Sequence, residues 1–332
     1  MDDPVRVGVV GLGWWGRRLC DGAAASKALS VVSCYARTPA SREAFAEDLG
    51  IRSADTFDAL LGDPDVEAIL LATPHSTHAD QIQRAAERGK HVFVEKPFTL
   101  TVAEGVRAHQ AALDGGIVLQ VGHNRRRQPV NRRIKQMIDA GELGMLHLLQ
   151  GTVTVPKDQV PRVGWRSEPS ESPVGGMTAL AIHLVDTYRY FAGPIERVSV
   201  LSKQLWGAGR LDDITVVALE FARGPLGYIG TSIVLPRTHT IAVMGTSAIA
   251  WSDDDGEHLY VQGKDTTSRT LIETEPLDTI ADELAEFGRV VRQGGRPETG
   301  APEALHAVAV LEAVVESDRR GGGVVDVREF SG

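Results

Sequence analysis

The chain has 332 residues, enough for two domains, and the composition of an ordinary globular protein, 42% hydrophobic and 24% charged. A formal net charge of −9 argues against a nucleic-acid surface or an anionic membrane as its main partner. No apolar run approaches a membrane span, the start Met1-Asp2-Asp3-Pro4 lacks a signal peptide's basic and apolar regions, and Cys20 and Cys34 have no metal-ligand spacing, so reduced thiols and a cytoplasmic location are expected.

In chain order, near-continuous apolar runs at 5–10, 31–35, 66–72, 91–94 and 117–121 predict strands of a parallel sheet buried on both faces. Helical patterns at 13–24, 41–49, 79–88 and 101–113 lie between them. Thr101 with Glu104 makes a capping box before the last of these, and Gly115-Gly116 closes it. Such βα repeats imply a doubly wound sheet. After Val121 one more helix is expected at 129–140. Extended segments follow at 146–155, 195–204, 214–221, 227–235, 239–244 and 248–251, with Thr215, Val217, Leu219 and Phe221 on one face and a turn at Arg223-Gly224. No long helix separates most of them, so this second sheet should be mostly antiparallel, interrupted by a helix at 178–191. Two final helices present Ile280, Leu284, Phe287 and Val291, then Leu305, Val308, Leu311 and Val315, each set on one face.

The first strand runs into Gly11-Leu12-Gly13-Trp14-Trp15-Gly16 and then a helix. Gly11 permits the tight turn, Gly13 lets backbone approach a pyrophosphate, and Gly16 lets helix and strand pack closely. The helix N-terminus offers N–H groups and partial positive charge to that pyrophosphate, so a dinucleotide cofactor is expected here. Trp14 and Trp15 border the turn and are expected to pack it against the second domain. An acid about twenty residues on would bond the adenosine ribose of NAD, yet residues 22–42 contain no Asp or Glu. Ala36, Arg37 and Thr38 stand there instead: a small residue, a guanidinium and a hydroxyl suited to a 2′-phosphate. NADP(H) is therefore favoured, with NAD(H) as the alternative.

The glycine turn, Ala72-Thr73-Pro74, Gly89 to Pro97 with its Glu95-Lys96-Pro97, Val121 to Arg126, Gly175-Gly176 and His183 to Asp186 together resemble the glucose–fructose oxidoreductase and inositol dehydrogenase (Gfo/Idh/MocA) family over nearly the whole chain. The resemblance implies an α/β fold. Residues 1–122 would form a Rossmann doubly wound parallel sheet, and 123–332 an α/β domain with a large, mostly antiparallel open sheet that carries substrate and subunit contacts. A homodimer or homotetramer through the open sheet face is expected, and the C-terminal helix is placed back on the first domain. The implied chemistry is hydride transfer between nicotinamide and a secondary alcohol or ketone of a sugar, cyclitol or related diol.

By the same resemblance Lys96 stabilises charge at the reacting oxygen, and His183 is the acid/base, a task suited to imidazole. Thr73, Pro74 and Glu95 would border the cofactor. Asn124, Arg126, Trp165 and Arg166 are candidate substrate contacts, although a salt-bridging Arg126 is equally natural, and for Trp165, which could stack on a sugar face, packing is the default. His78 reads as a helix-start residue, and no metal site is expected. One departure stands out: many members carry an aspartate four residues before the histidine, and here that position is Ala179. A redox-neutral glycosidase or epimerase of the same family, or a non-catalytic cofactor-binding sensor, are the alternatives that this gap leaves open.

Overall fold

The computed structural model of the chain describes residues 3–156, 164–206 and 211–330. Its backbone divides into two compact units, one of Met1–Asn124 with Asp278–Leu305, the other of Arg125–Leu277 with His306–Gly332.

The first unit runs β1 (Val5–Val10), α1 (Trp14–Ser26), β2 (Leu29–Tyr35), α2 (Pro39–Leu49), β3 (Arg52–Ser53), α3 (Phe57–Gly62), β4 (Ala68–Leu71), α4 (His78–Glu87), β5 (His91–Glu95), α5 (Val102–Asp114) and β6 (Leu119–Gly122). The strands form one sheet in the order β3-β2-β1-β4-β5-β6, every neighbouring pair parallel. β4 is buried throughout, which is why its run Ala-Ile-Leu-Leu shows no alternation. The capping box of Thr101 and Glu104 is present at the start of α5. The two-residue β3 and six-residue α3 went unread because neither is long enough to establish a period.

Strand register positions the site. Val10 pairs with Tyr35 on one side and Leu71 on the other, Leu71 pairs with Val94, and Val94 with Val121. The carboxyl ends of β2, β1, β4, β5 and β6 are therefore level. The segments that leave them lie side by side along the sheet edge where open α/β sheets bind ligands.

The second unit begins with α6 (Pro129–Asp139) and β7 (Leu146–Thr154). A π-helical turn, Met177–Ala181, leads into α7 (Ile182–Ala192). Then come β8 (Ile195–Lys203), β9 (Ile214–Phe221), β10 (Leu226–Ser232), β11 (Thr238–Gly245), β12 (Ala248–Asp253), β13 (His258–Gly263) and β14 (Thr270–Ile272). Two helices follow, α8 (Thr279–Gln293) and α9 (Ala301–Arg319), and last β15 (Val325–Asp326). The sheet has nine strands in the order β14-β13-β12-β11-β7-β10-β9-β8-β15, antiparallel except where β10 runs parallel to β7. α7 lies on its inner face: the fully buried Tyr188 donates its hydroxyl to Tyr228 O at 3.1 Å and sits over Gly151, where a Cβ would be 2.5 Å from the Tyr188 hydroxyl. Burial raises the Tyr188 phenol well above its ordinary pKa, so it stays a donor.

Two expectations need correction. The segment from 123 to the end is not one unit, because 278–305 groups with the first. Ile280, Leu284 and Phe287 join the core of Val5, Val7, Leu19, Leu70 and Phe93, with the Phe93 and Phe287 rings edge to face at 5.9 Å. Arg292 fastens the other end of α8 with its two terminal guanidinium nitrogens on Glu67, at 2.7 and 2.9 Å. Hydrogen bonds to that guanidinium, against the opposing effect of burial, hold Glu67 down at about 2. The second correction is the face of α9. Val315 is exposed, while every residue from Ala307 to Leu311 is buried. A helix covered on several sides carries no single apolar stripe, so periodicity misassigns its face.

Candidate active site

Gly11 adopts φ +90°, and a Cβ there would stand 2.4 Å from Ala72 O just after β4, so only glycine suits the turn between β1 and α1. A Cβ on Gly16 would lie 2.1 Å from Gly11 O, which is why α1 can rest directly on the turn. Gly13, the N-cap of α1, is the opposite case: a Cβ there would meet nothing within 4 Å. No side chain caps this end and no acid occupies its first turn. Backbone N–H groups, partial positive charge and open space together fit a pyrophosphate. Trp15 is half-buried against the first unit's own core, and its ring meets Trp14, 69% exposed, edge to face at 4.9 Å. The packing found for Trp15 is thus against the core of its own unit.

At the level end of β2, Ala36 is half-buried and Arg37 and Thr38 are exposed. Thr38 is the N-cap of α2 without a side-chain capping bond, and among the described residues Arg37 engages no partner. One carboxylate does come near from β3: Ala54 N bonds Cys34 O, and the next residue is Asp55. Asp55 is paired with Arg42 at 2.8 Å.

Beside Gly11, the chain leaves β4 through Thr73 and Pro74, and leaves β5 through Glu95 and Lys96. Thr73 donates its hydroxyl to Gln81 at 2.6 Å, and Thr77 donates to Pro74 O at 2.7 Å, which holds this turn on α4. Glu95 is buried, its carboxyl tucked over β6 at Gly122, where a Cβ would come within 3.2 Å of it. Lys96 is half-buried and enters a cis bond to Pro97. His78, read from sequence as a mere helix start, is fully buried between the two turns. Its Nδ1 lies 3.0 Å from Pro97 O and 3.3 Å from Phe98 O, and its Nε2 lies 3.2 Å from Thr73 O. Nothing local in the sequence signals those partners.

In the second unit, Gly175 and Gly176 precede the π-helical turn. A Cβ on Gly175 would be 2.2 Å from Asp212 O, and one on Gly176 would be 2.4 Å from the Thr231 hydroxyl. Val174 just before them holds φ +51°, a costly conformation for a β-branched residue. The turn carries Ala179, and α7 then presents a half-buried His183 in its first turn. π-Turns of this kind recur where a helix must aim a functional side chain.

Arg126 is not available as a substrate ligand. Its side chain is 4% exposed and grips Asp186, itself 1% exposed, by Nε at 2.9 Å and by Nη2. The guanidinium also lies over the Tyr190 ring, 5.3 Å from its centre. Asp186 lies three residues after His183, so the pair anchors the helix that carries the histidine. Asn124 donates its amide to Thr279 at 2.9 Å. Arg166 stacks over Trp165 at 4.1 Å, so one face of that ring carries a guanidinium. The preceding loop, residues 157–163, lies outside the described residues.

Three further histidines, His91, His239 and His306, are held in structural contacts. His91 accepts from Val118 N at 2.9 Å and His306 from Ile195 N at 3.1 Å, roles that require neutral rings. Burial lowers both, with His306 pushed down to about 4. His239 stands 2.9 Å from Asp255, and burial lowers it too. Burial alone would raise Asp255, but His239 and Arg125 hold it at about 2. Among the described residues no cluster suits a metal ion, and no helix is long and apolar enough to cross a membrane. Both cysteines are buried and unbridged, their thiols pushed up by burial to about 12 and about 11.

The comparisons with known proteins agree with this architecture. The family described as "Oxidoreductase family, NAD-binding Rossmann fold" matches residues 5–123, and "GFO/IDH/MocA C-terminal domain" matches 131–250. The scyllo-inositol 2-dehydrogenase (NAD(+)) of Bacillus subtilis is 31% identical across 97% of this chain and 96% of its own. The D-xylose 1-dehydrogenase (NADP(+)) 2 of Haloferax volcanii is 27% identical across 87% and 89%. Among solved structures, an oxidoreductase from Desulfitobacterium hafniense superposes with a TM-score of 0.94 at 30% identity, covering 100% of both chains. A glycine turn fitted to a pyrophosphate, a level sheet edge carrying Lys96, and these matches across both units place the chain in the Gfo/Idh/MocA family of NAD(P)-dependent oxidoreductases.

Proposed function

We propose that this protein oxidises or reduces a secondary alcohol or ketone of a sugar, cyclitol or related diol, with His183 as acid/base and Lys96 as the electrostatic and positioning group. The observation that carries this reading is the level sheet edge, which sets Gly11–Gly16, Thr73–Pro74 and Glu95–Lys96 side by side. The inositol and xylose dehydrogenases among the relatives support the substrate class. Bound nicotinamide supplies the hydride acceptor or donor. The chain's own residues do the rest. The N-terminus of α1 holds the pyrophosphate, the Lys96 ammonium stabilises negative charge on the reacting oxygen, and His183 takes or returns the hydroxyl proton. Nicotinamide absorbance followed over a panel of polyols, sugars and diols tests the reading. Product formed without net absorbance change would mean a redox-neutral enzyme instead, and binding without turnover a sensor.

NADP(H) is the proposed preference. Among the described residues Arg37 is exposed and without a partner at the end of β2, and Asp55, a carboxylate that β3 brings near that strand end, is engaged by Arg42. Arg37→Ala is expected to weaken NADPH binding by roughly tenfold or more and leave NADH binding nearly unchanged, as loss of a charge-assisted contact to a 2′-phosphate would. Equal loss of both, in fluorescence titrations, would remove the phosphate clamp.

Assembly into a homodimer or homotetramer through the outer face of the nine-stranded sheet is proposed with it. Leu201, Val216, Leu226 and Tyr228 are exposed, and pairing sets Leu201 beside Val216 and Tyr228 beside Ala218 on adjacent strands. An apolar face of this kind marks a contact surface. Leu201→Glu is expected to lower the mass found by light scattering toward that of one chain; an unchanged oligomer would place the interface elsewhere.

A further inference from the structure

We propose that His78 is a positioning residue for the reaction, holding Lys96 in place by tying the turn after β5 to the turn after β4. The inference rests on the reading of Lys96 as the group that meets the reacting oxygen. Its geometry is independent of that reading. The ring is fully buried at the first residue of α4, Nδ1 reaches Pro97 O at 3.0 Å and Phe98 O at 3.3 Å, and Nε2 reaches Thr73 O at 3.2 Å. Carbonyl oxygens are acceptors only, so the ring can bond either turn only as a donor. In either neutral tautomer one turn receives an N–H, and in the doubly protonated ring both do.

Pro97 follows Lys96 directly, so the nearest backbone fixed by this ring is one peptide from the lysine. β4 and β5 are neighbours in register, Leu71 opposite Val94, so the two turns start level and could otherwise move apart. Thr73 is held a second time, by its hydroxyl on Gln81 of the same α4. Helix α4 thus grips one turn twice and reaches the other through the ring of His78. A side chain placed that way controls the separation of the Thr73–Pro74 and Lys96–Pro97 segments, and errors of about 1 Å in such positions cost rate steeply.

The test compares His78→Leu, which removes every ring N–H, with His78→Gln, which keeps an amide donor. His78→Leu is expected to lower kcat by about tenfold or more with the KM for the cofactor nearly unchanged, and His78→Gln to recover most of it. Lys96 acylation by a limiting amine reagent, read by peptide mass spectrometry on the full chain, gives a second readout. Loss of the tie should speed it by about threefold or more, the scale of one hydrogen bond. Lys90, bonded to Asp63 O at 3.0 Å, is the internal control and should not change. Wild-type kcat and wild-type Lys96 acylation in folded His78→Leu would overturn the proposal. If that variant does not fold, His78→Asn, whose shorter amide does not span the reach of the ring, decides: Lys96 acylation faster than wild type supports the tie, and acylation at or below the wild-type rate overturns it. Should the wild-type protein turn over no member of the panel, the acylation ratio still judges His78, and the failure belongs to the functional reading alone.

Discussion

His183→Asn is expected to lower turnover by roughly 10²–10⁴-fold, the usual contribution of a positioned acid/base, while the cofactor dissociation constant stays within a few-fold of wild type. Asparagine preserves polarity and approximate volume but cannot exchange a proton near neutral pH. The glycine turn proposed to hold the cofactor, Gly11–Gly16, belongs to a different unit from His183, so binding and chemistry should separate cleanly. Steady-state kinetics with the best substrate of the panel, beside a fluorescence titration of NADPH, makes the comparison. Turnover equal to wild type would dismiss the acid/base role. The other histidines give the contrast: His91 and His306 are neutral acceptors of backbone N–H, and their loss should cost stability before it costs rate.

Arg126→Met should destabilise the protein by about 3–5 kcal/mol, because it leaves Asp186 buried and ionised without its partner. For a unit of this size that corresponds to a fall in Tm on the order of 10 °C. Restoring apolar consistency with Arg126→Met/Asp186→Leu should recover part of the loss, since a buried ion pair is costly to break and cheap to replace. The expectation that Arg126 binds substrate makes the opposite forecast, a raised KM at unchanged Tm. Differential scanning calorimetry and kinetics on the same variant distinguish the two. The 4% exposure of the guanidinium decides for the structural role.

Much of the first unit was legible because its signals are local. Strand β1 appears with the bounds read from its apolar run, and β2, β4, β5 and β6 fall within a few residues of theirs. Buried parallel strands need uninterrupted apolar residues, and helices between them need caps such as Thr101 with Glu104. The glycine spacing was legible for the same reason: within six residues Gly11 and Gly16 answer close approaches of backbone, and Gly13 leaves open space at the helix N-terminus. Strands β13, β14 and β15 were missed because they are short or half-exposed, so the buried alternation that betrays a strand is weak or lacking.

The site divides along the same line. Gly11, Gly13, Gly16 and the missing acid before Arg37 are properties of a few adjacent residues. Lys96 and His183 stood out by their surrounding motifs, and Ala179 by its departure from one. His78, Arg126 and Asp186 could not be assigned this way. His78 finds its acceptors 5, 19 and 20 residues along the chain, and Arg126 finds Asp186 at a separation of 60. No period or spacing links partners so far apart, because only packing brings them together.

By itself, then, the sequence determined a dinucleotide-binding α/β unit followed by a mostly antiparallel sheet, through short-range sterics and apolar periodicity. The tertiary structure alone decided that 278–305 rejoins the first unit, that Arg126 serves Asp186, and that His78 spans two turns. Each of these is settled by burial, and burial is a property of the assembled chain: a charged or polar side chain taken from water must find its partner wherever the fold supplies one.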